Sequence, residues 1–247
     1  MPAHTFCSEF TTNFEYIKPN SPKTHSFTVV YLHGLCSDPW GRKPESIKAF
    51  CAGHGLGFMR FELAGHGSDS ANYEKADLNV WKNQLLEVID NMVAEPVLLI
   101  GMSVGGWLAL LGGIERPEKV RGIIGISAAP DFTVGLEEEY MTAAQRAEMA
   151  EKGRICFHTK DFDYLFTARL FASGRKNRLL DKEINLKCPV HLLQGMKDAA
   201  YPWKYSLQIA EKINHDRVTL KLLKGSNHRM QEPEDIAEMF KSVESFM

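Results

Sequence analysis

Leu78, Trp81, Leu85, Val88, Ile89 and Met92 return at spacings of three and four residues. They form one apolar stripe down an amphipathic helix predicted over 76–93. Elsewhere apolar residues come in short unbroken runs. SFTVVYLHG (26–34) is rich in β-branched residues and stops at glycine. GFMRFEL (57–63), the run 97–100 opened by Pro96, VRGIIGISAAP (120–130), PVHLLQG (189–195) and VTLKLLK (218–224) have the same character. Such runs read as strands buried on both faces. Helical patterns alternate with them over 43–53, 76–93, 104–112 and 203–213. A last helix carries Ile236, Met239, Phe240, Val243 and Phe246 on one face. The alternation predicts an α/β architecture, a mostly parallel, doubly wound sheet covered by helices on both faces. Reactive groups then belong in loops at the carboxyl ends of the strands.

The alternation breaks over 131–187. Thr142 and Gln145 make a capping box for a short helix ended by Gly153, and a second helix is predicted around 163–173 with Gly174 at its C-terminus. We read this segment as a small helical cap over the sheet's edge, within a single domain spanning 1–247. No repeat, low-complexity tract or linker divides the chain.

The 247 residues are 44% hydrophobic and 24% charged, ordinary for a soluble globular domain. A formal charge of -2 favours neither nucleic acid nor an anionic membrane as partner. The longest apolar run, LLIGMSVGGWLALLGG (98–113), is interrupted by Ser103 and glycines, which argues against a membrane span. The N-terminal stretch MPAHTFCSEFTTNFEY lacks a basic segment followed by an apolar one, so the expected location is cytoplasmic. Five cysteines without a Cys-x-x-Cys pair fit reduced thiols. Nothing in the pattern indicates an oligomeric state.

Candidate chemistry concentrates inside that longest run. Gly101-Met102-Ser103-Val104-Gly105 fits G-x-S-x-G and falls between a predicted strand and a predicted helix, the context this turn requires. Glycines flank the serine because the turn leaves no room for side chains, and Gly106 permits close packing behind it. Ser103 then stands at a helix N-terminus, where negative charge is favoured. A serine is a poor nucleophile near neutral pH without a base, and the base needs an orienting acid. In this chain order the acid follows a later strand and the histidine comes last. Strand 189–195 runs into Asp198 and strand 218–224 into His228. Asp131, after strand 120–130, is the rival acid. An oxyanion needs two N–H donors, and Val104 and Leu35 are the candidates, with Gly34 allowing close approach of substrate.

The remaining polar residues are read more plainly. His33 and the loop 64–68 (AGHGS) are scaffold, His158 and His215 are solvated, and His191 is core. Cys36 lies beside the Leu35 loop and is a candidate pocket wall. His33 with Cys36, and His66 with Asp69, fall short of a metal-ligand set, and the glycines near Ser103 lack a P-loop lysine. No metal or cofactor is expected. Trp40, Phe132, Leu165, Phe166, Phe171, Tyr201 and Trp203 are candidates for an apolar acyl pocket.

HGL (33–35), GHGS (65–68), GMSVGG (101–106), GMKDAAYP (195–202) and SNHRM (226–230) together resemble the α/β-hydrolase superfamily over nearly the whole chain. LHGLCSDPWGRK, SVGGWLALLGGIERPEKVRGIIGISAAPDF and CPVHLLQGMKDAAYPW followed by NHRM are similar to the palmitoyl-protein thioesterase and mycophenolic acid acyl-glucuronide esterase group and its short bacterial relatives. The resemblance implies the α/β-hydrolase fold, with Ser103 as nucleophile, Asp198 as acid and His228 as base. It implies cofactor-free hydrolysis of a carboxylic ester or acyl thioester, with a small-molecule or acylated substrate. Animal members of that group begin with a mitochondrial targeting segment, which this N-terminus does not resemble. Two other classes share the scaffold. An aminopeptidase-type peptidase would need an acidic anchor for a free amine, for which Glu137, Glu138 and Glu139 are available. A ligand receptor would use the same pocket with vestigial turnover. Dehalogenase chemistry is disfavoured by serine, not aspartate, at the turn.

Overall fold

The computed structural model describes residues 1–20, 26–158 and 163–247. In chain order its strands are β1 (Ala3–Phe6), β2 (Phe10–Ile17), β3 (Thr28–Leu32), β4 (Gly57–Phe61), β5 (Val97–Met102), β6 (Val120–Ile126), β7 (Arg154–His158), β8 (Asp163–Thr167), β9 (Val190–Gly195) and β10 (Val218–Leu223). The α-helices are α1 (Arg42–Gly53), α2 (Leu78–Glu87), α3 (Val104–Glu115), α4 (Phe132–Gly135), α5 (Ala143–Lys152), α6 (Ala168–Lys176), α7 (Lys204–Lys212) and α8 (Pro233–Glu244). Among the described residues, eight strands form one sheet in the order β1-β2-β4-β3-β5-β6-β9-β10. From β4 through β10 all neighbours are parallel.

β5 lies in the middle, and all its side chains are buried. Alternation splits them between two cores. Val97 and Leu99 face one, with Leu85 of α2 and Trp107 and Leu108 of α3. Leu98, Ile100 and Met102 face the other, with Ile47 of α1 and Met239 and Val243 of α8. A strand buried on both faces needs apolar residues at every position, which is why these strands read as unbroken runs.

The N-terminal pair β1–β2 is antiparallel and extends the sheet beside β4. The predicted pattern had no strand there. Its turn runs through Cys7 and Ser8, both in left-handed backbone, with Glu9 N–H donating to Phe6 O at 3.0 Å. The usual Asn-Gly or Asp-Gly sequence of such a turn is missing, so the hairpin carried no turn signal. The alternation of Phe10, Thr12, Phe14 and Tyr16 was the available clue.

The segment between β6 and β9 departs from the expected all-helical cap. The Thr142–Gln145 capping box and α5 are present, and Gly153 ends the helix at φ 68°. The next helix does not span 163–173. β7 and β8 pair as an antiparallel hairpin instead, with Ile155 opposite Phe166. α6 begins only after Thr167, whose hydroxyl accepts from Leu170 N–H at 3.2 Å. Aromatic and β-branched residues here pack across strands and win over helix propensity. Gly174 is not a C-terminal cap either. It lies inside α6, where a Cβ would stand 2.0 Å from Thr133 Oγ1, so the glycine lets α6 press on α4.

Asp131 ties the two ends of this segment together. Its buried carboxylate accepts from Leu179 N–H at 2.9 Å and from Leu180 N–H at 2.8 Å. Burial raises its carboxyl pKa, against the pull of those two N–H groups. Asp131→Ala strands two largely buried donors and leaves alanine in left-handed backbone. We expect a loss of about 2–4 kcal/mol in urea unfolding and faster amide exchange at Leu179 and Leu180, with a smaller loss for Asp131→Asn.

Candidate active site

Three glycines answer for the geometry of Ser103. A Cβ on Gly101 would lie 2.1 Å from Gly105 O, one on Gly105 2.4 Å from Leu32 O, and one on Gly106 2.5 Å from Ala128 Cβ. α3 therefore starts in direct backbone contact with the ends of β3 and β5. The turn between them forces Ser103 to φ 55°, ψ -118°, a conformation that costs a non-glycine residue about 1–3 kcal/mol. Ser103 opens into a cleft of about 1070 Å³ at the carboxyl edge of the sheet, together with Gly34, Leu35 and His228.

β9 and β10 bring Asp198 and His228 to the same edge. Lys197 N–H donates to Ser226 O at 2.9 Å, binding the two loops to each other. His228 Nδ1 donates to Asp198 Oδ2 at 2.7 Å. Asp198 also accepts from Ala200 N–H at 2.9 Å, Tyr201 N–H at 2.8 Å and Gln194 Nε2 at 2.9 Å. Burial works to raise this carboxyl, but His228 and the N–H donors outweigh it and hold Asp198 below the usual carboxylate range. A charged carboxylate on Nδ1 fixes the imidazole tautomer and leaves Nε2 as the basic nitrogen. Asp131, the rival acid, has its oxygens on Leu179 and Leu180 instead. Gln194 escaped the sequence reading. The available signal was a polar residue at the end of an otherwise apolar strand.

The Leu35 loop is held by two buried histidines. A Cβ on Gly34 would lie 3.4 Å from Ser103 Cβ, so this loop borders the serine. Leu63 N–H donates to His33 Nε2 at 2.9 Å, so His33 carries its proton on Nδ1 and donates it to Gly34 O at 2.8 Å. Cys36 N–H donates to His66 Nε2 at 3.1 Å, and His66 Nδ1 donates to Ala64 O at 3.2 Å. The carbonyl of the Gly34–Leu35 peptide is thus pinned, with its trans N–H on the opposite side. Among the described residues, no acceptor takes the N–H of Leu35 or of Val104. Burial, reinforced by His66, pushes His33 down to about 3, and burial lowers His66 too.

The aromatic candidates divide. Phe132, Phe166 and Tyr201 line the cleft, joined by Phe157 and Tyr164 of the hairpin. Cys36 lines it as well. Three others stand elsewhere. Trp40 donates to Glu62 Oε1 at 3.0 Å and stacks on Arg60, Phe171 is core against Phe166, and Trp203 precedes α7 without lining the cleft. Leu165 is off the cleft wall too, and its carbonyl accepts from Tyr73 OH at 2.9 Å. His191 is half-buried against Phe246 and not fully core. Among the described residues, one group of metal-ligating side chains lies together, the exposed Cys156, His158 and Asp163. It sits on the hairpin face opposite Phe157 and Tyr164, with His158 Nδ1 2.7 Å from Asp163 Oδ1.

The sheet order, the glycine-packed serine turn and the loops gathered above it define an α/β hydrolase. Residues 29–239 match the model of the Alpha/beta hydrolase family, and the chain belongs to that family. It is 34% identical over 211 residues to Palmitoyl-protein thioesterase ABHD10, mitochondrial, of Rattus norvegicus, covering 84% of this chain and 71% of the relative. Two solved structures are similar across nearly the whole chain. A putative hydrolase from Agrobacterium vitis S4 superposes with a TM-score of 0.91 at 30% identity, covering 99% of this chain and 96% of that one. Alpha/beta hydrolase domain-containing protein 10 from mouse superposes with a TM-score of 0.89 at 29% identity, with the same coverage of both chains. The family and these relatives support hydrolysis as the activity of this chain. No helix among the described residues is long and apolar enough to cross a membrane.

Two outcomes follow from the strain and from the buried imidazoles. Ser103→Gly relieves the backbone strain, less the entropy glycine gains when unfolded. A net gain of about 1 kcal/mol, roughly 2–4 °C in Tm, is expected, with no such gain for Ser103→Ala. His33 is neutral when folded and binds a proton when unfolded below about pH 6.5, so its contribution is whole above that pH and is lost as pH falls towards 3. The slope is about 1.4 kcal/mol per pH unit for one such group. Urea unfolding across that window shows a shallower pH dependence in His33→Gln than in wild type.

Proposed function

We propose that the protein is a serine hydrolase that cleaves carboxylic esters or acyl thioesters through Ser103, His228 and Asp198. The observation that carries this reading is the 2.7 Å His228–Asp198 hydrogen bond at the rim of the cleft onto which the strained Ser103 turn opens. His228 Nε2 takes the proton of Ser103 Oγ as the oxygen attacks the acyl carbon. Asp198 stabilises the imidazolium that results. The Leu35 and Val104 N–H groups, unclaimed among the described residues, receive the negative charge on the carbonyl oxygen. Collapse of the tetrahedral intermediate expels the alcohol or thiol, which takes its proton from His228. Water activated by His228 then cleaves the acyl-enzyme and regenerates Ser103.

The rat relative's name supports an acyl thioester as substrate. The cleft supports an acyl chain of some length, because Phe132, Phe157, Tyr164 and Phe166 face it from one side. The peptidase reading has less behind it. Glu137 is paired with Arg175 at 2.5 Å, Glu138 lies 3.6 Å from Arg178, and Glu139 accepts from Tyr205 OH at 3.4 Å. Glu137 is off the cleft wall, and Glu138 and Glu139, which line it, each already have a neighbour. Cell fractionation decides between the cytoplasmic expectation and the mitochondrial location in the relatives' names.

Turnover of p-nitrophenyl esters and acyl-CoA thioesters of graded chain length tests the reading. Wild type shows a rate maximum at one acyl length. Ser103→Ala loses up to ~10⁶ in kcat, and Asp198→Asn loses about 10⁴ because the imidazole is held in the wrong tautomer. Equal turnover by wild type and Ser103→Ala refutes the assignment.

A further inference from the structure

Lys43 has no part in the chemistry described so far, yet it is buried in the wall of the cleft. It occupies the second position of α1, the helix that follows the Leu35 loop. Its Nζ donates to Arg229 O at 2.5 Å and lies 3.4 Å from Met102 Sδ. Arg229 directly follows His228, and Met102 directly precedes Ser103. One ammonium therefore bridges the turns that carry the proposed base and the proposed nucleophile.

Packing alone does not account for a lysine here. Burial pushes its ammonium down to about 8, against the pull of Asp235. Its contacts are a carbonyl and a thioether, neither of which repays desolvation as a carboxylate would. An apolar side chain of similar length would fill the space without that penalty. The histidine turn has a use for the donor. Upstream of His228 the turn is anchored by Lys197 N–H on Ser226 O, and Met230, downstream, sits in left-handed backbone at φ 42°. Lys43 supplies the downstream hydrogen bond from a different element of the fold.

We propose that Lys43 is a positioning residue, whose ammonium ties the His228 turn to the Ser103 turn and holds the imidazole in register with the serine. The proposal rests on the Ser103–His228–Asp198 reading above. A displacement of the base of about 1 Å is enough to cost on the order of 10² in rate.

Lys43→Met, Lys43→Gln and Lys43→Arg are compared with wild type for kcat, KM and amide exchange. In Lys43→Met we expect kcat to fall roughly 10–100-fold with KM changed less than about twofold. Exchange at Asn227–Met230 speeds up while that of β5 stays as in wild type. Lys43→Arg, which keeps a cationic donor, recovers part of the loss. Should Lys43→Met not fold, Lys43→Gln carries the same comparison. Unchanged kcat and unchanged exchange overturn the proposal, and so does a rise in KM alone, which would make Lys43 a substrate contact. If wild type shows no Ser103-dependent turnover, the hydrolase reading fails by itself. Exchange at Asn227–Met230 still decides whether Lys43 holds the histidine turn.

Discussion

Backbone packs on backbone where β5 turns into α3, and the loops above depend on that contact. The first turn of α3 lies so close to the end of β3 that a single Cβ at Gly105 would overlap the Leu32 carbonyl. This approach tips Ser103 into left-handed backbone and brings Gly34 against it. The strain is tolerable because the surrounding sheet over-determines it: β3, β5 and β6 are parallel neighbours, and their apolar faces are buried on both sides. Relaxing the turn would separate α3 from two strands at once.

Burial sets the histidines of this edge apart. His33 and His66 are enclosed, so the neutral imidazole is the stable form, and each donates through Nδ1 and accepts through Nε2. A neutral ring of this kind is a rigid two-ended brace for the Leu35 loop. His228 is partly open to the cleft and has a buried carboxylate on Nδ1. One residue type thus provides two enclosed braces and one ring that borders the cleft, according to its surroundings.

The wall facing the serine is built differently. It comes from a hairpin and short helices between β6 and β9, closed off by Asp131 on the two N–H groups of Leu179 and Leu180. The hairpin turns Phe157 and Tyr164 to the cleft and Cys156, His158 and Asp163 to solvent. Alternation along two paired strands makes one face apolar while the other stays polar.

Much of this was legible in the chain itself. Buried parallel strands need apolar residues at every position, so β3, β5, β6 and β9 stood out as runs, and α2 as a stripe. The serine turn was legible because its sterics demand glycine at fixed offsets, and Asp198 and His228 because they end successive strands. The N-terminal hairpin was not, since its left-handed turn residues are Cys7 and Ser8. The β7–β8 hairpin was not, because short aromatic segments fit helix and strand equally until cross-strand neighbours decide. Trp40 and Phe171 looked like pocket aromatics, and only packing showed that Arg60, Glu62 and Phe166 claim them. Lys43 looked like any lysine on a helix. Local sequence determines what depends on backbone sterics and periodicity. The partners of a side chain distant in sequence, such as Arg229 O for Lys43 or Gly34 O and Leu63 N–H for His33, exist only once the chain has closed.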